Sequence, residues 1–473
     1  MKPTSQDFKE SATRALGDVQ LQQALANVRR GFVDKRAKAR AGLPEFDDLR
    51  DRGRDIKEHT LEYLDLYLEA FEHKVKDAGG EVHWALSAVD ACEIVLGICR
   101  EQNARTVTKS KSMIGEEIAI NDHLETAGLK VVETDLGEYL IQIRGEPPSH
   151  IIGPAIHLNR GQIAEDFRRV HTQFPADRPL DEPSEMVAEA REVLRTQFIA
   201  ADAGITGANL LVAETGSSVV VTNEGNADLT QTLPRTHIVI ASIEKLVPTL
   251  EDANTILRVL ARSATGQEMS AYTTYATGPR REGDVDGPES YHVVLIDNGR
   301  TEMLGSEFKD MLRCIRCGAC LNHCPVYNVV GGHAYGWVYS GPMGAVLTPS
   351  LIGVGGAGHL PNASSFCGRC EEVCPMRIPL PGMMRSWRER EFERGDLPLR
   401  QHLALKLWAY AAKRPALYRL ASRVVIGILG ALGAKRGRFR SLPLAGAWTS
   451  NRDLPAPQGR TFVDLWRKGE GRS

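Results

Sequence analysis

Seven of the chain's nine cysteines fall into two short runs whose spacing suits iron–sulfur chemistry. The first run has the pattern C-x2-C-x2-C-x3-C-P, and the second has the pattern C-x2-C-x3-C-P. Thiolates at this spacing converge on one small inorganic core, and the last cysteine of such a run ligates the cluster of the other run. The two runs are therefore predicted to fold as one unit that holds two clusters.

The spacing rule assigns four thiolates to one cluster and three to the other. The first cluster takes Cys314, Cys317, Cys320 and Cys374. The second cluster takes Cys324, Cys367 and Cys370. A full second run would have another cysteine three residues before Cys367, where the sequence has Ser364. The first cluster is thus predicted to be [4Fe–4S]. The second is either [3Fe–4S] or [4Fe–4S] with serine, water or another oxygen ligand at the fourth iron.

Zinc and disulfides are the alternative uses of clustered cysteines. Structural zinc sites take four ligands each, and seven cysteines in this spacing fit two such sites poorly. The N-terminus is polar and charged, without the pattern of a signal peptide, so we expect a cytoplasmic, reducing compartment that disfavours disulfides.

The composition is that of a soluble globular protein. The 473 residues carry a formal charge of −2, with 42% hydrophobic residues, which predicts two or three domains. This balance gives no basic excess of the kind that nucleic-acid-binding proteins have. No apolar stretch is expected to be long enough to span a membrane, which takes about 18 residues. The longest candidate, 424–434, is expected to be a buried or interfacial helix.

Basic residues are concentrated near the C-terminus. Between Met376 and Arg440 there are fifteen Lys or Arg residues and four Asp or Glu residues. Such a stretch is commonly a solvated face. It also suits docking to an acidic partner subunit, or peripheral contact with anionic headgroups at a membrane.

The elements that must position these residues follow from apolar periodicity. We predict a helical N-terminal segment (1–75), an α/β domain (76–300), a two-cluster domain (301–385) and a helical, basic C-terminal region (386–473). Strands are predicted at Glu81–Ala85, Thr106–Thr108, Lys130–Glu133, His150–Ile152, Leu210–Ala213, Val219–Thr222, His237–Ile243 and His292–Ile296. Helices are predicted at Val89–Gln102, Ile114–Thr126, Ile163–Phe174, Pro183–Ala200 and Leu250–Ala261. Alternation of strands and helices favours a largely parallel sheet.

Two polar segments of the α/β domain are candidate ligand sites. One follows a predicted strand and precedes a predicted helix, where open α/β sheets bind anionic ligands. The other lies around the ETGSS turn and the following TNEGN segment. The candidate residues are Lys109, Ser110, Lys111, Glu214, Thr215, Asn223 and Glu224. Ordinary turn and cap chemistry explains both segments equally well. No paired carboxylates or histidine cluster with metal-binding spacing stand out in this domain.

The whole chain resembles the lactate utilisation protein B family. The resemblance is carried by TKSKSM and AETGS…TNEGN in the α/β domain, by CIRCGACLNHCPVYN and SFCGRCEEVCPMRIPL, and by WTSNRDLPAP near the C-terminus. It implies an α/β domain shared with lactate utilisation protein C and similar to sugar-phosphate isomerases, followed by an α-helical, ferredoxin-like two-cluster domain. The cluster ligands that it implies are the seven cysteines already named.

The family resemblance also implies a role and partners. The role is electron transfer in a multi-subunit system that oxidises L-lactate to pyruvate. The expected partners are a cysteine-rich subunit like those of heterodisulfide reductases and a second α/β lactate-utilisation subunit. Two clusters without a recognisable flavin or nicotinamide site predict an electron-transfer subunit of an oxidoreductase complex rather than a complete enzyme. The competing hypothesis is a redox-sensing module, or an enzyme, whose α/β domain binds an anionic small molecule.

Overall fold

The computed structural model describes residues 3–395, 397–442, 446–449 and 452–469. The chain divides into two compact units, Met1–Glu391 and Phe392–Ser473. Parts of the predicted C-terminal region, such as 443–445 and 470–473, lie outside the described residues. The predicted domain boundaries at residues 75, 300 and 385 stay predictions.

The N-terminal segment is helical and contributes to the core of the first unit. Its helices are α1 (Phe8–Gly17), α2 (Val19–Val28), α3 (Asp34–Ala41), α4 (Phe46–Glu62) and α5 (Leu64–Asp77). Phe46, Phe71 and Val75 are completely buried in one core with apolar residues of the α/β domain and of the cysteine-rich region. This segment is therefore an integral part of the first unit.

A six-stranded parallel sheet forms the centre of the α/β domain in the described part of the chain. Its strand order is β1-β10-β7-β4-β2-β3, and every neighbouring pair is parallel. The strands are β1 (Glu81–Ala85), β2 (Thr106–Lys109), β3 (Lys130–Glu133), β4 (Ala203–Gly207), β7 (Thr236–Ser242) and β10 (Ser290–Ile296). Every residue of β7 is buried, as expected for a strand covered on both faces.

The connections change direction at β2. The chain passes from β2 outward to β3 and then returns to β4 on the other side of β2, from which it continues to β7 and β10. Ligands of open α/β sheets bind outside the carboxyl ends of strands at such a switch point. The β2–β4 junction is therefore the place in this sheet to look for a ligand.

A second, four-stranded sheet is built from β5 (Leu210–Val212), β6 (Ser217–Thr222), β8 (Leu246–Val247) and β9 (Tyr272–Ala276) in the order β8-β5-β6-β9. β5 and β6 are antiparallel, so the predicted tight turn at ETGSS is confirmed. Gly216 in this turn has φ +70, and a Cβ there would lie 2.6 Å from the Val75 backbone nitrogen. The turn consequently needs glycine both for its conformation and for close packing against α5.

Four of the five helices predicted in the α/β domain are observed. The helices of this domain are α6 (Ala88–Glu101), α7 (Met113–Ile118), α8 (Ile120–Thr126), α9 (Leu136–Arg144), α10 (Arg160–Val170), α11 (Pro183–Ile199), α12 (Asn226–Thr232), α13 (Leu250–Ala264) and α14 (Arg300–Leu304). Of these, α9, α12 and α14 were not predicted. The single helix predicted at Ile114–Thr126 is wrong, because Ala119 takes a left-handed conformation (φ 56) that ends α7 and starts α8.

The strand predictions also need correction, because one predicted strand is a loop and three strands (β4, β8 and β9) were not predicted. His150–Ile152 is a buried loop and not a strand, because the His150 ring accepts hydrogen bonds from the loop's own amides, Ile152 N at 3.0 Å and Gly153 N at 3.1 Å. Conversely, the central strand β4 was not predicted. Its sequence, AGITG, is poor in strand-forming residues because Gly204 passes the α12 backbone so closely that a Cβ would lie 1.8 Å from Thr230 O.

The cysteine-rich region consists of short helices and loops. Its helices are α15 (Ala319–Asn322), α16 (Tyr327–Val330), α17 (Gly341–Ile352), α18 (Val354–Ala357), α19 (Arg369–Val373) and α20 (Leu380–Arg394). Tyr327, Tyr335, Trp337 and Tyr339 are buried here, as expected for aromatic residues that pack beside the cysteines.

The second unit is formed by α21 (Leu399–Ala412), α22 (Pro415–Gly433), α23 (Gly446–Thr449), α24 (Phe462–Arg467) and a short antiparallel pair, β11 (Arg438–Phe439) with β12 (Leu454–Pro455). α22 has 19 residues and is long and apolar enough to cross a membrane by length and composition. The prediction that no stretch reaches this length was wrong, because the apolar positions extend before residue 424. Much of the α22 side-chain surface is exposed.

Candidate functional site

Two small cavities in the cysteine-rich region are lined by the seven clustered cysteines. The first is lined by four of them: Cys314, Cys317, Cys320 and Cys374. The second is lined by Cys324, Cys367, Cys370 and Ser364. The structure therefore brings the predicted ligands together in the predicted groups, with Ser364 beside the three cysteines of the second group. We call these the first and second cluster sites.

The loops that carry the cysteines turn sharply. Arg316 and Gly318, between the cysteines of the first run, have φ values of +58 and +72. Phe366 and Gly368, at the matching positions of the second run, have φ values of +54 and +77. Left-handed conformations at both positions wrap each loop around a small centre, so the thiols point to a common point. The matching geometry of the two loops follows from their matching C-x2-C spacing.

Most of the clustered thiols have raised pKa values. Burial raises the pKa of Cys317 to about 12 and that of Cys374 to about 11, and repulsion from neighbouring thiolates adds to the effect. Burial likewise raises the pKa of Cys370 to about 12. Because thiolates are this unfavourable in the protein alone, their ionised form needs nearby positive charge, which iron supplies. Soft thiolate donors in this number fit such a cluster.

Backbone amides point at two of the sulfur atoms. Tyr327 N donates to Cys324 Sγ and Ile378 N donates to Cys374 Sγ, both at 3.5 Å. Amide hydrogen bonds to the ligating sulfurs stabilise the additional negative charge of a reduced cluster and raise its reduction potential. The two sites thus contain groups that would tune electron transfer.

Arginines from the N-terminal helices hold the loop that follows the first cluster site. Arg50 of α4 donates to Cys374 O from Nε (3.1 Å) and Nη2 (2.7 Å), and from Nη2 to Glu372 O (2.7 Å). Arg36 of α3 donates to Val373 O at 2.8 Å. These residues were missed in the sequence because more than 300 residues separate them from their acceptors. Only their position in amphipathic helices was visible.

The second cluster site has its own arginine. Arg388 of α20 donates to Pro361 O (2.7 Å) and Ser364 O (3.0 Å), and its guanidinium lies over the Phe366 ring at 4.1 Å. It therefore fixes the segment that contains Ser364, the position without a cysteine. This residue was also missed.

A polar cavity of the α/β domain lies at the β2–β4 junction and has a volume of about 240 Å³. We call it the switch-point cavity. Among the predicted ligand residues, Ser110, Lys111, Asn223 and Glu224 line it. The structure thus brings together residues from both predicted segments, more than 100 positions apart in sequence.

Lys109, Glu214 and Thr215 do not line the cavity, and these predictions are corrected. Lys109 is completely buried on the other side of β2, where Nζ lies 2.7 Å from Glu133 Oε1 and 3.2 Å from Glu116 Oε1. Glu214 Oε2 accepts from Leu250 N at the start of α13, and Thr215 is hydrogen-bonded to Ser217 within the turn. For these three residues the structural explanation holds.

Lys109 lies beside a cluster of three glutamate side chains that the sequence did not reveal. Glu116, Glu133 and Glu138 have carboxylate oxygens within 4.8 Å of one another. Burial raises the pKa of Glu133 to about 7, although Lys109 opposes the shift. A second set of this kind is Glu81, His83 and His292 at the β1–β10 edge. Neither set stood out in the sequence, because its members come from different strands and helices.

A buried charged layer lies between the parallel sheet and the first cluster site. Arg300 forms a two-point ion pair with Glu117 (2.6 and 2.7 Å), and Tyr339 OH donates to Glu117 Oε2 at 2.6 Å. Burial acts to raise the pKa of Glu244, but Arg300 and Arg316 outweigh it and lower this pKa to about 2. The ionised carboxylates are therefore fixed by arginines, one of which, Arg316, belongs to the first cysteine loop.

Comparisons with known proteins agree with this arrangement. The family model described as "LUD domain" matches residues 68–296, the model "4Fe-4S dicluster domain" matches 310–378, and the model "Lactate utilisation protein B, C-terminal" matches 391–470. An iron–sulfur dicluster domain therefore coincides with the two cluster sites, while the exact cluster types are not given by this match.

Relatives match along the whole chain. A protein named lactate utilization protein B from Anoxybacillus flavithermus is 41% identical over 473 residues, which is 100% of this chain and 99% of the relative. One of the same name from Geobacillus sp. (strain WCH70) is 42% identical, covering 99% and 98%. An uncharacterized electron transport protein, YkgF, from Escherichia coli K12 is 41% identical, covering 99% and 98%. A crystal structure of a DUF162 family protein from Deinococcus radiodurans matches 49% of this chain and 98% of its own, at 17% identity and a TM-score of 0.29.

Proposed function

The chain belongs to the lactate utilization protein B family, and from this premise we propose that it is an iron–sulfur electron-transfer protein of L-lactate degradation. It passes electrons while L-lactate is oxidised to pyruvate. The observation that carries the proposal is the grouping of seven cysteines around two neighbouring sites within a dicluster domain. When bound, the clusters supply one-electron redox chemistry, and the protein positions them.

We propose the following occupancy of the two sites. Cys314, Cys317, Cys320 and Cys374 hold a [4Fe–4S] cluster. Cys324, Cys367 and Cys370 hold either a [3Fe–4S] cluster or a [4Fe–4S] cluster whose fourth iron has an oxygen ligand. Ser364 is the candidate for that ligand because it lines the same cavity. Its hydroxyl already accepts from Phe366 N at 3.1 Å, and this bond leaves the hydroxyl oxygen a second lone pair.

We propose that the protein works as a subunit of an oxidoreductase complex. Its partners are a cysteine-rich subunit like those of heterodisulfide reductases and a second α/β lactate-utilisation subunit. The second cluster site supports this arrangement, since Cys367 is exposed and a partner's redox centre can approach it. A cytoplasmic location is proposed as well, because cluster ligands have to stay reduced. The α/β domain is proposed to be of the sugar-phosphate-isomerase type.

The second unit is the proposed place of peripheral membrane contact. Leu420, Ile428 and Leu432 of α22 are exposed, and basic residues flank this helix on both sides. Exposed apolar and basic side chains together suit an anionic membrane surface. Flotation of the intact protein with vesicles tests this proposal: binding to anionic but not to neutral vesicles is expected, and its loss in Ile428→Glu supports the assignment. Absence of binding, together with capture by the purified partner subunits, would assign the surface to the partners.

Gene deletion and anaerobic spectroscopy test the main proposal. We expect the deletion strain to lose growth on L-lactate and to regain it with the wild-type gene but not with Cys320→Ser. The matched control is Cys99→Ser, which changes a buried cysteine outside both sites. Normal growth of the deletion strain, in a background without another lactate oxidase, contradicts the proposal. Absence of reversible reduction of the purified clusters contradicts it as well.

A further inference from the structure

The switch-point cavity has more positive than negative charge among its lining side chains. Its cationic residues are Lys111, Lys245 and Arg316, and its carboxylic residues are Asp135 and Glu224. Burial and the neighbouring Asp135 raise the pKa of Glu224 to about 7, so Glu224 is partly protonated at neutral pH. An anion is therefore the favoured occupant.

Lys245 is the cation with the fewest contacts. Lys111 Nζ already donates to Ile152 O at 2.5 Å, and Arg316 Nη2 lies 3.4 Å from Glu244 Oε1. Among the residues that the structure describes, Lys245 Nζ has neither a hydrogen bond nor an ion pair. Burial and the nearby Arg316 lower its pKa to about 8. A bound anion would supply the missing partner and stabilise the ammonium form.

The size of the cavity limits the ligand. Its volume of about 240 Å³ is below the roughly 300–1,000 Å³ of sites for drug-sized ligands. Hydrogen-bonding side chains such as Ser110, Asn209 and Asn223 complete its wall. A small acid with one carboxylate and one further oxygen group could use the cations and these neutral groups together.

The cavity adjoins the first cluster site. Ile151 lines both, so a single side chain forms part of the wall between them. Arg316 lies between Cys314 and Cys317 in the first cysteine loop, and its side chain lines the cavity while its guanidinium lies over the Tyr339 ring at 5.0 Å. Charge that enters the cavity is therefore close to the first cluster and contacts the same loop.

We propose that the switch-point cavity binds a small 2-hydroxy- or 2-oxo-carboxylate beside Lys245 and Arg316, and that its occupancy is coupled to the redox state of the first cluster. The choice of this acid class rests on the proposed function, whereas the preference for a small anion rests on the cavity itself. Reduction adds a negative charge to the cluster, so it weakens binding of the anion. By linkage, the bound anion lowers the reduction potential by the matching amount. No bond is made or broken in this step.

Calorimetric titration of the anaerobic, cluster-loaded protein at pH 7.5 tests the coupling, with L-lactate, pyruvate and inorganic phosphate as probes. We expect lactate or pyruvate to bind the oxidised protein, and to bind about tenfold more weakly after reduction of the first cluster. A tenfold difference corresponds to a potential shift of about 59 mV for a one-electron couple, measurable by redox titration followed by electron paramagnetic resonance. Equal affinity in both redox states overturns the coupling.

Two variants with opposite expected effects on carboxylate affinity test whether the ligand binds in the switch-point cavity. Lys245→Gln should weaken carboxylate binding about tenfold, the loss expected for one charge-assisted hydrogen bond, with unchanged cluster absorbance. Glu224→Gln removes a negative charge and should tighten binding. The matched control is Lys130→Gln, because Lys130 lies at the amino end of β3, away from the cavity. Unchanged affinity in both cavity variants overturns the site.

Two further outcomes separate this inference from the proposed function. Phosphate binding as tightly as the two acids overturns the carboxylate class. Failure of every probe to bind protein whose clusters are intact and reversibly reducible overturns the cavity assignment but leaves electron transfer standing. Conversely, carboxylate binding that persists in a protein whose clusters cannot be reduced leaves the cavity standing and contradicts the proposed function.

Discussion

The two cluster sites have similar cysteine loops but very different surroundings. In the first site Cys317, Cys320 and Cys374 are no more than 9% exposed, and the wall includes apolar residues such as Met311 and Leu380. In the second site Cys367 and Phe366 are exposed, and Ser364 is half-buried. Similar loops therefore give one enclosed and one accessible site, and the difference comes from the elements packed around them.

The difference indicates a direction for electron flow. The enclosed site adjoins the α/β domain and its switch-point cavity, while the accessible site adjoins solvent, where a partner can dock. We infer that the second cluster would exchange electrons with a partner and the first cluster with the second. Burial and ligand type both affect potential, so the sites should differ in potential as well as in position.

Removing one cysteine from each site in turn is expected to give the largest difference in stability between the two sites. Cys320→Ser removes a ligand from the enclosed site and leaves a poorly filled space in the core, whereas Cys367→Ser removes one at the surface. Because cluster binding contributes to folding free energy, we expect Cys320→Ser to lower the free energy of unfolding by about 3 kcal/mol more than Cys367→Ser. Anaerobic denaturant titration, with iron content measured in parallel, checks this. Equal losses would mean that the two sites stabilise the fold equally.

The arginines that hold the two sites should differ in how much they stabilise the fold, with the larger contribution at the first site. Arg50 is 3% exposed and donates three hydrogen bonds to the Cys374 loop, while Arg388 is half-buried. Replacement of Arg50 by Met leaves buried carbonyls without donors, so we expect a loss of about 3 kcal/mol in unfolding free energy. Arg388→Met should cost about 1 kcal/mol because water can reach its acceptors. A larger loss in Arg388→Met would reverse the order of the two sites.

The sequence predicts those parts of the molecule that depend on local spacing. The seven cysteines line two cavities in the groups that the sequence suggested, because C-x2-C spacing and chain order already determine which thiols can meet. Arg36 and Arg50 could not be predicted, since their acceptors lie beyond residue 370 and helix periodicity does not say which carbonyl a buried arginine will reach. Strand β4 was missed because close packing against α12 requires Gly204, which weakens the strand pattern.

Neighbouring lysines show the same limit within the α/β domain. Lys109 and Lys111 are two residues apart and were predicted to share one ligand site. Lys109 is the last residue of β2, and its ammonium group forms ion pairs with Glu116 and Glu133. Lys111 lies beyond the strand and lines the switch-point cavity. Side-chain direction after the end of a strand depends on the loop conformation, which local pattern does not determine.

Accessibility should also appear in the rate of iron loss. An iron chelator added to the anaerobic protein is expected to remove iron in two phases, with the fast phase from the second site. Phe366 covers part of this site under Arg388, so Phe366→Ala should accelerate the fast phase several-fold and leave the slow phase unchanged. Absorbance at the cluster bands, followed during chelation, checks this. A single phase for both clusters would show that burial does not distinguish the sites.

The smallest effect on stability is expected from Ser364→Cys, which makes the ligand sets of the two sites alike. Ser364 is half-buried and cysteine is close to serine in size, so the substitution should change the free energy of unfolding by less than about 0.5 kcal/mol. Its effect on the second cluster should nevertheless be distinct, because a fourth thiolate beside Cys324, Cys367 and Cys370 favours [4Fe–4S] over [3Fe–4S].

Electron paramagnetic resonance of the oxidised protein distinguishes the two types. A [3Fe–4S] signal that disappears in the variant would place Ser364 at the open corner of the cluster, whereas an unchanged spectrum would exclude Ser364 from it. Ser365→Cys is the matched control, because Ser365 lines the same cavity but lies two residues, not three, before Cys367. If Ser364→Cys also lowers the potential of the second cluster toward that of the first, ligand type rather than exposure sets most of the difference between the two sites.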